Sequence, residues 1–180
     1  MSDNVYLGNP NLKKANTQIQ FSAKQIEEFV KCKNDPVYFA KKYVKIVSLD
    51  EGLVPFQPYK FQEKLIKRFH RERFNICKMP RQTGKSTTVV SYLLHYAVFN
   101  DSVNIGILAN KAATARELLG RLQTAYENLP RWMQQGIIAW NKGSLELENG
   151  SKILAASTSA SAVRGMSFNI LFLDEFAFVP

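Results

Sequence analysis

Met79-Pro80-Arg81-Gln82-Thr83-Gly84-Lys85-Ser86 is the stretch on which the reading of this chain turns. It ends in Gly-Lys-Ser. A short apolar run, residues 74–77, precedes it, and a second run beginning Thr87-Thr88-Val89-Val90 follows. Strand, loop and helix in that order form a phosphate-binding loop. The physical basis is the helix start, where backbone N–H groups lack partners and the helix dipole favours an anion. Gly84 lets the backbone come close to a phosphate. Around it, Gln82, Thr83, Lys85, Ser86 and Thr87 would form the cradle for ATP. Lys85 would reach the β- and γ-phosphates, and the Ser86 hydroxyl would hold Mg²⁺. The usual pattern begins with a glycine where this chain has Met79.

A second element supports the first. Asn169-Ile170-Leu171-Phe172-Leu173-Asp174-Glu175 reads as a buried parallel strand ending in two carboxylates. Ligands of open α/β sheets bind at that end of the strands. Asp174 would complete the Mg²⁺ shell, and Glu175 would orient or activate an attacking water. By themselves the two acids could equally be a solvated loop after a core strand. The Lys85 loop tips the balance to chemistry.

The chain has 180 residues, 46% of them hydrophobic, enough for one domain with a true core. Its formal charge is +9, unevenly spread. Residues 1–81 hold 16 Lys and Arg against 8 Asp and Glu, whereas residues 82–180 hold 8 against 7. That balance suits a polyanionic partner such as nucleic acid, or simply a solvated basic face. Cys32 and Cys77 lie too far apart for a metal-spaced pair, which suggests a reducing compartment without a disulfide. Cys77, inside the expected strand before the phosphate loop, should be a small core residue. No apolar stretch approaches a membrane span, and no secretory leader is visible.

Three regions are expected. Residues 1–20 are polar and read as an arm that is disordered or ordered on contact. Residues 21–73 form a helical segment. Ser22 with Gln25 makes a capping box, and Asp35-Pro36 starts a second helix. Residues 44–58 should be extended or irregular. Residues 59–73 form an amphipathic helix with Phe61, Leu65, Ile66 and Phe69 on one stripe and Lys60, Lys64, Lys67, Arg68 and Arg71 facing water. Residues 74–180 form the nucleotide-binding core. Strands are expected at 75–79, 104–109 and 169–173, helices at 84–99 and 112–128, and a helical turn at 130–136. A hairpin over 145–154 turns at Asn149-Gly150, and 157–167 is a loop. Alternating strands and helices give an α/β fold with a parallel sheet. That sheet needs further strands beside the central ones, so the core reads as incomplete just after Asp174-Glu175.

The order of these pieces resembles the N-terminal ATPase domain of large terminase subunits, the DNA-packaging motors of tailed bacteriophages, of the myophage kind. The resemblance rests on Arg81-Gln82-Thr83-Gly84-Lys85-Ser86, Gly106-Ile107-Leu108-Ala109-Asn110-Lys111, Leu129-Pro130, Trp140-Asn141-Lys142-Gly143-Ser144-Leu145-Glu146-Leu147 with Asn149-Gly150-Ser151, Ala162-Val163-Arg164-Gly165 and Leu171-Phe172-Leu173-Asp174-Glu175. It runs from about residue 35 to the end. In that family the Walker A motif commonly lacks its leading glycine, and Asp174-Glu175 would be Walker B. The resemblance implies a RecA/ASCE-like P-loop fold and an ATPase that drives double-stranded DNA into a procapsid. It also implies a portal protein, a small terminase subunit and a ring oligomer as partners, in the host cytoplasm and transiently at the portal vertex. The family's nuclease domain has no counterpart in these residues.

The family comparison also makes residues 56–62 resemble an adenine-binding Q motif, with either Gln57 or Gln62 as the adenine contact. Arg81 could hold the γ-phosphate in a fork, or shape the loop through a salt bridge. Arg164 could touch phosphate or DNA, or pair with an acid. Lys111 reads as an exposed charge at a helix start. His70 and His95 have no ligand-spaced neighbours, and Trp132 and Trp140 read as packing residues. Two rival readings remain. One is a helicase-like P-loop ATPase, and the other is a fragment that binds nucleotide without hydrolysis.

Overall fold

In a computed structural model, residues 4–48, 50–159 and 165–175 are described. Their centre is a five-stranded sheet ordered β6-β7-β8-β5-β9. The strands are β5 (Asn104–Ala109), β6 (Ile137–Trp140), β7 (Ser144–Leu147), β8 (Lys152–Ser157) and β9 (Ile170–Leu173). β8, β5 and β9 run parallel. β6 and β7 run antiparallel to their neighbours, so the sheet is mixed rather than purely parallel. The β7–β8 hairpin turns at Asn149-Gly150, where Gly150 takes a φ of 80° that a side chain would resist. The Asn149 amide fastens that turn by donating to the carbonyls of Ala97 and Asn100.

α4 (Lys85–Phe99) and α5 (Ala112–Glu127) follow the phosphate loop and β5 respectively. α4 is apolar around most of its circumference, with Leu93, Leu94, Ala97 and Val98 all buried. A helix of that composition is stable only with neighbours on several sides. α5 supplies one of them. α2 (Pro36–Tyr43) and α3 (Lys60–Arg71) supply the others. α1 (Ala23–Asn34) begins at the Ser22–Gln25 capping box, and Asp35 caps α2 by accepting from the N–H groups of Val37 and Tyr38. Phe39, His95 and Phe99 meet edge to face or tilted between α2 and α4. His95 is fully buried, with Nε2 bonded to the Cys32 carbonyl oxygen, and burial lowers its pKa to about 4. Trp132 packs on Tyr43 and Trp140 on Tyr126.

Three segments sharpen or differ from the pattern read along the chain: the first two fall within it and the third departs from it. Residues 45–55 form a hairpin, β3 (Lys45–Ser48) with β4 (Gly52–Pro55). The polar N-terminal stretch contains β1 (Val5–Tyr6) and β2 (Asn9–Lys13). It is fixed to the far side of the fold. Leu12 is buried, Lys13 pairs with Glu148 at 2.7 Å, and the buried Gln134 amide accepts from the Lys13 N–H and donates to the Asn11 carbonyl.

The third segment bears on the site. Residues 75–79 are not a strand, and Cys77 is not in the core. Phe74 is 83% exposed and Ile76 fully exposed. An apolar run becomes a strand only where a neighbouring edge accepts its N–H and C=O groups. Among the described residues β9 pairs with β5 alone, and nothing pairs with 75–79.

Cysteine chemistry checks this geometry. Cys32 is fully buried, and burial pushes its thiol up to about 12. In the native 180-residue chain a maleimide should therefore label Cys77 and leave Cys32 unreacted until the protein is denatured. Protection of both thiols would mean that residues 75–79 are covered.

Candidate active site

The site begins with the turn that starts α4. Gln82 and Gly84 both adopt left-handed backbone conformations, with φ of 60° and 71°. Such alternation turns successive N–H groups toward one point and forms an anion nest. The Thr83 hydroxyl donates to the Pro80 carbonyl and tightens the loop. The first backbone N–H of α4 to bond within the helix is that of Thr88, to the Gly84 carbonyl at 3.0 Å. Among the described residues, the N–H groups of Lys85, Ser86 and Thr87 have no backbone acceptor and are open to a ligand.

Gln62 holds this loop from behind. It is buried on α3; its Oε1 accepts from the Tyr59 N–H at 2.8 Å and its Nε2 donates to the Thr83 carbonyl at 3.2 Å. A Cβ placed on Gly84 would lie 2.5 Å from that Nε2. Both ends of the Gln62 amide are thus spent on backbone. Gln57 is exposed between buried Phe56 and Pro58, and its amide is open. Nearby, the Tyr59 and Phe61 rings stack at 5.8 Å and are largely exposed.

The carboxylates arrive on β9. The register Leu108↔Leu173 sets the end of β9 beside the end of β5, and the Asp174 N–H donates to the Leu108 carbonyl at 2.8 Å. Burial raises the Asp174 carboxyl above its ordinary value. The Glu175 N–H and the charges of Lys85 and Arg121 pull it back, while the Glu175 carboxylate adds to the rise. The influence of the Lys85 ammonium on Asp174 is smaller than that of burial. That ammonium also donates to the Met79 carbonyl at 3.3 Å. Glu175 is exposed, with a φ of 51°.

Ser86 and Thr87 are half-buried on the first turn of α4, and Arg81 and Gln82 are exposed on the loop rim. Lys111 is exposed at the start of α5. Arg164 lies outside the described residues. The sequence reading missed Arg121, which pairs with Glu117 on α5 while its charge reaches Asp174. No local motif marks it, because only the packing of α5 over the sheet brings it near.

The residues present fit a magnesium triphosphate. Three N–H groups stand open, Gly84 leaves the room a Cβ would fill, and the Ser86 hydroxyl and Asp174 carboxyl supply the oxygens a hard cation requires. Among the described residues no cluster of three or more His, Cys, Asp or Glu offers another metal site.

The fold is an α/β domain with a mixed five-stranded sheet and flanking helices. The solved structure of the HK97 bacteriophage large terminase shares this fold, with a TM-score of 0.66 at 18% identity over 82% of this chain and 32% of that one. The family described as "Terminase large subunit, T4likevirus-type, N-terminal" matches residues 76–180, and the chain belongs to it. Two curated relatives, tripartite terminase subunit 3 from equine herpesvirus 1 strains Ab4p and V592, are each 28% identical over 131 residues. Those alignments cover 69% of this chain and 17% of theirs. The chain therefore spans a third or less of the proteins it matches.

The Gly84 turn can be tested without any ligand. A side chain in the left-handed region costs about 1–2 kcal/mol, and here the new Cβ also collides with Gln62. Gly84→Ala should lower the thermal midpoint by roughly 3–6 °C, using the usual conversion for a domain of this size. Adding Gln62→Ala should not fully restore it, because the φ penalty stays. An unchanged midpoint in Gly84→Ala would contradict the left-handed turn.

Proposed function

We propose that this chain is the ATP-hydrolysing part of a motor that packages double-stranded DNA into procapsids. The observation that carries the reading is the left-handed turn at Gly84, which leaves the N–H groups of residues 85–87 without a backbone acceptor. In this reading the N–H groups of residues 85–87 bind the β- and γ-phosphate oxygens, and Lys85 neutralises charge that grows on them in the transition state. Ser86 and Asp174 would hold Mg²⁺, directly or through water, and the ion would supply positive charge against the triphosphate. Glu175 orients the attacking water in line with the γ-phosphate and takes up its proton. Arg81, exposed on the loop rim, is free to swing onto the γ-phosphate. Gln57 is the adenine contact, since the Gln62 amide is already committed to the loop.

DNA, a portal protein and a small terminase subunit are the proposed partners, with a ring on the procapsid as the assembly. The host cytoplasm and the portal vertex are the proposed places of action. A motor that moves any sequence holds phosphates rather than bases, so its DNA affinity should fall steeply with salt.

Lys85→Ala and Glu175→Gln in the full-length protein test the site. Each should reduce DNA-stimulated ATP hydrolysis by at least about 100-fold, in line with losses of single transition-state contacts. Glu175→Gln should still bind nucleotide. Turnover at the wild-type rate in either variant would refute the role assigned. A second reading, binding without turnover, applies to the 180-residue chain alone. Among the described residues no strand pairs with 75–79, and a phosphate loop without a rigid strand before it could bind nucleotide without turning it over. Nucleotide titration with a parallel turnover assay on that chain separates the two.

A further inference from the structure

α3 presents two opposed faces. At 100° per residue, Gln62, Leu65, Ile66 and Phe69 point to one side, where Gln62 and Ile66 are buried and Gln62 grips the phosphate loop. Lys60, Lys64, Lys67 and Arg71 fall at i, i+4, i+7 and i+11, within one narrow stripe on the opposite side, and all four are exposed. A merely solvated helix face usually interleaves acids at i, i+4 spacing. This one does not. Glu63, the one acid within α3, is drawn off the stripe to Lys41 of α2 at 2.7 Å. Among the described residues, Lys60, Lys64 and Lys67 form no ion pair, and Arg71 pairs only with its neighbour Glu72.

We propose that this outer stripe of α3 is a contact surface for the phosphate backbone of double-stranded DNA, tied mechanically to the phosphate loop through Gln62. The naming of the polyanion as duplex DNA rests on the function proposed above. At 1.5 Å per residue the stripe is about 16 Å long. One DNA strand presents a phosphate about every 3.4 Å of axis. Four cations in a row along a convex helix therefore match a continuous line of phosphates, and no apolar residue interrupts the stripe. An acidic protein partner would instead supply scattered carboxylates and some apolar contact. Because Gln62 sits on the far face of the same helix, a shift of Thr83 on nucleotide binding or loss would be passed to α3 and to whatever the stripe holds.

The test is Lys60→Glu with Lys64→Glu and Lys67→Glu in the full-length protein, beside the neutral Lys→Gln triple. Folding should survive, since the three side chains are exposed and a glutamate at residue 60 suits a helix start; circular dichroism confirms it. Binding is read by fluorescence anisotropy on a labelled mixed-sequence duplex across a salt series, without nucleotide. The Lys→Gln triple should weaken binding at least ten-fold and flatten the slope of log affinity against log salt by about 2.7, at 0.9 per lost contact. The Lys→Glu triple should bind more weakly still. DNA-independent ATP hydrolysis should be unchanged in both. Wild-type affinity and slope in the two triples would overturn the proposal, whatever Lys85→Ala does to hydrolysis. Intact duplex binding with loss of procapsid binding would assign the stripe to a protein partner and overturn it too. Lost duplex binding in a protein that never hydrolyses ATP would uphold the surface while removing the motor.

Discussion

The left-handed turn at Gly84 is the constraint from which the site follows. It reverses the chain sharply enough that α4 begins with three N–H groups facing outward and none facing a helical acceptor. A residue with a Cβ would strain the backbone and collide with Gln62, so the turn and the grip of α3 on Thr83 belong together. α4 then runs through the fold buried on most sides, packed against α2, α3 and α5, and this burial fixes the direction in which its first turn faces. Asp174 stands at the end of β9, beside the end of β5, because these parallel strands run in register.

Much of this was legible in the residues, for local reasons. Ser22 with Gln25 and Asp35 with Pro36 announce helix starts because caps act within one turn of chain. Asn149-Gly150 announces a hairpin because only such residues take that turn readily. β5 and the Asp174 strand are apolar runs of the right length, and each finds a neighbour. Lys85 and Asp174 each stand out in the sequence because each carries its own local motif.

What was illegible depends on distant partners. The polar stretch before residue 16 gains structure from Gln134 and Glu148, more than a hundred positions away, and its composition carries no trace of them. Residues 75–79 have the look of a strand, yet a strand is a property of two segments, and the described residues hold no second one for them. The sequence offers Gln62, beside Gln57, as an adenine contact. Its role as a brace became visible only when both ends of its amide were accounted for. Arg121 enters the field of Asp174 through the packing of α5 alone.

Family membership places the chain in the N-terminal part of a large terminase subunit, and α3 turns one face to the phosphate loop and the other to solvent. The account stands or falls on the two halves of the site gathering around one metal-bound triphosphate. Iron-mediated backbone cleavage tests that directly: Fe²⁺ replaces Mg²⁺ with a non-hydrolysable ATP analogue, and peroxide and ascorbate generate cuts next to the ion. Two nucleotide-dependent cut sites, one beside Ser86 and one beside Asp174, are the expected result. Cuts at one of them alone, or cuts that ignore the nucleotide, would contradict a shared ion.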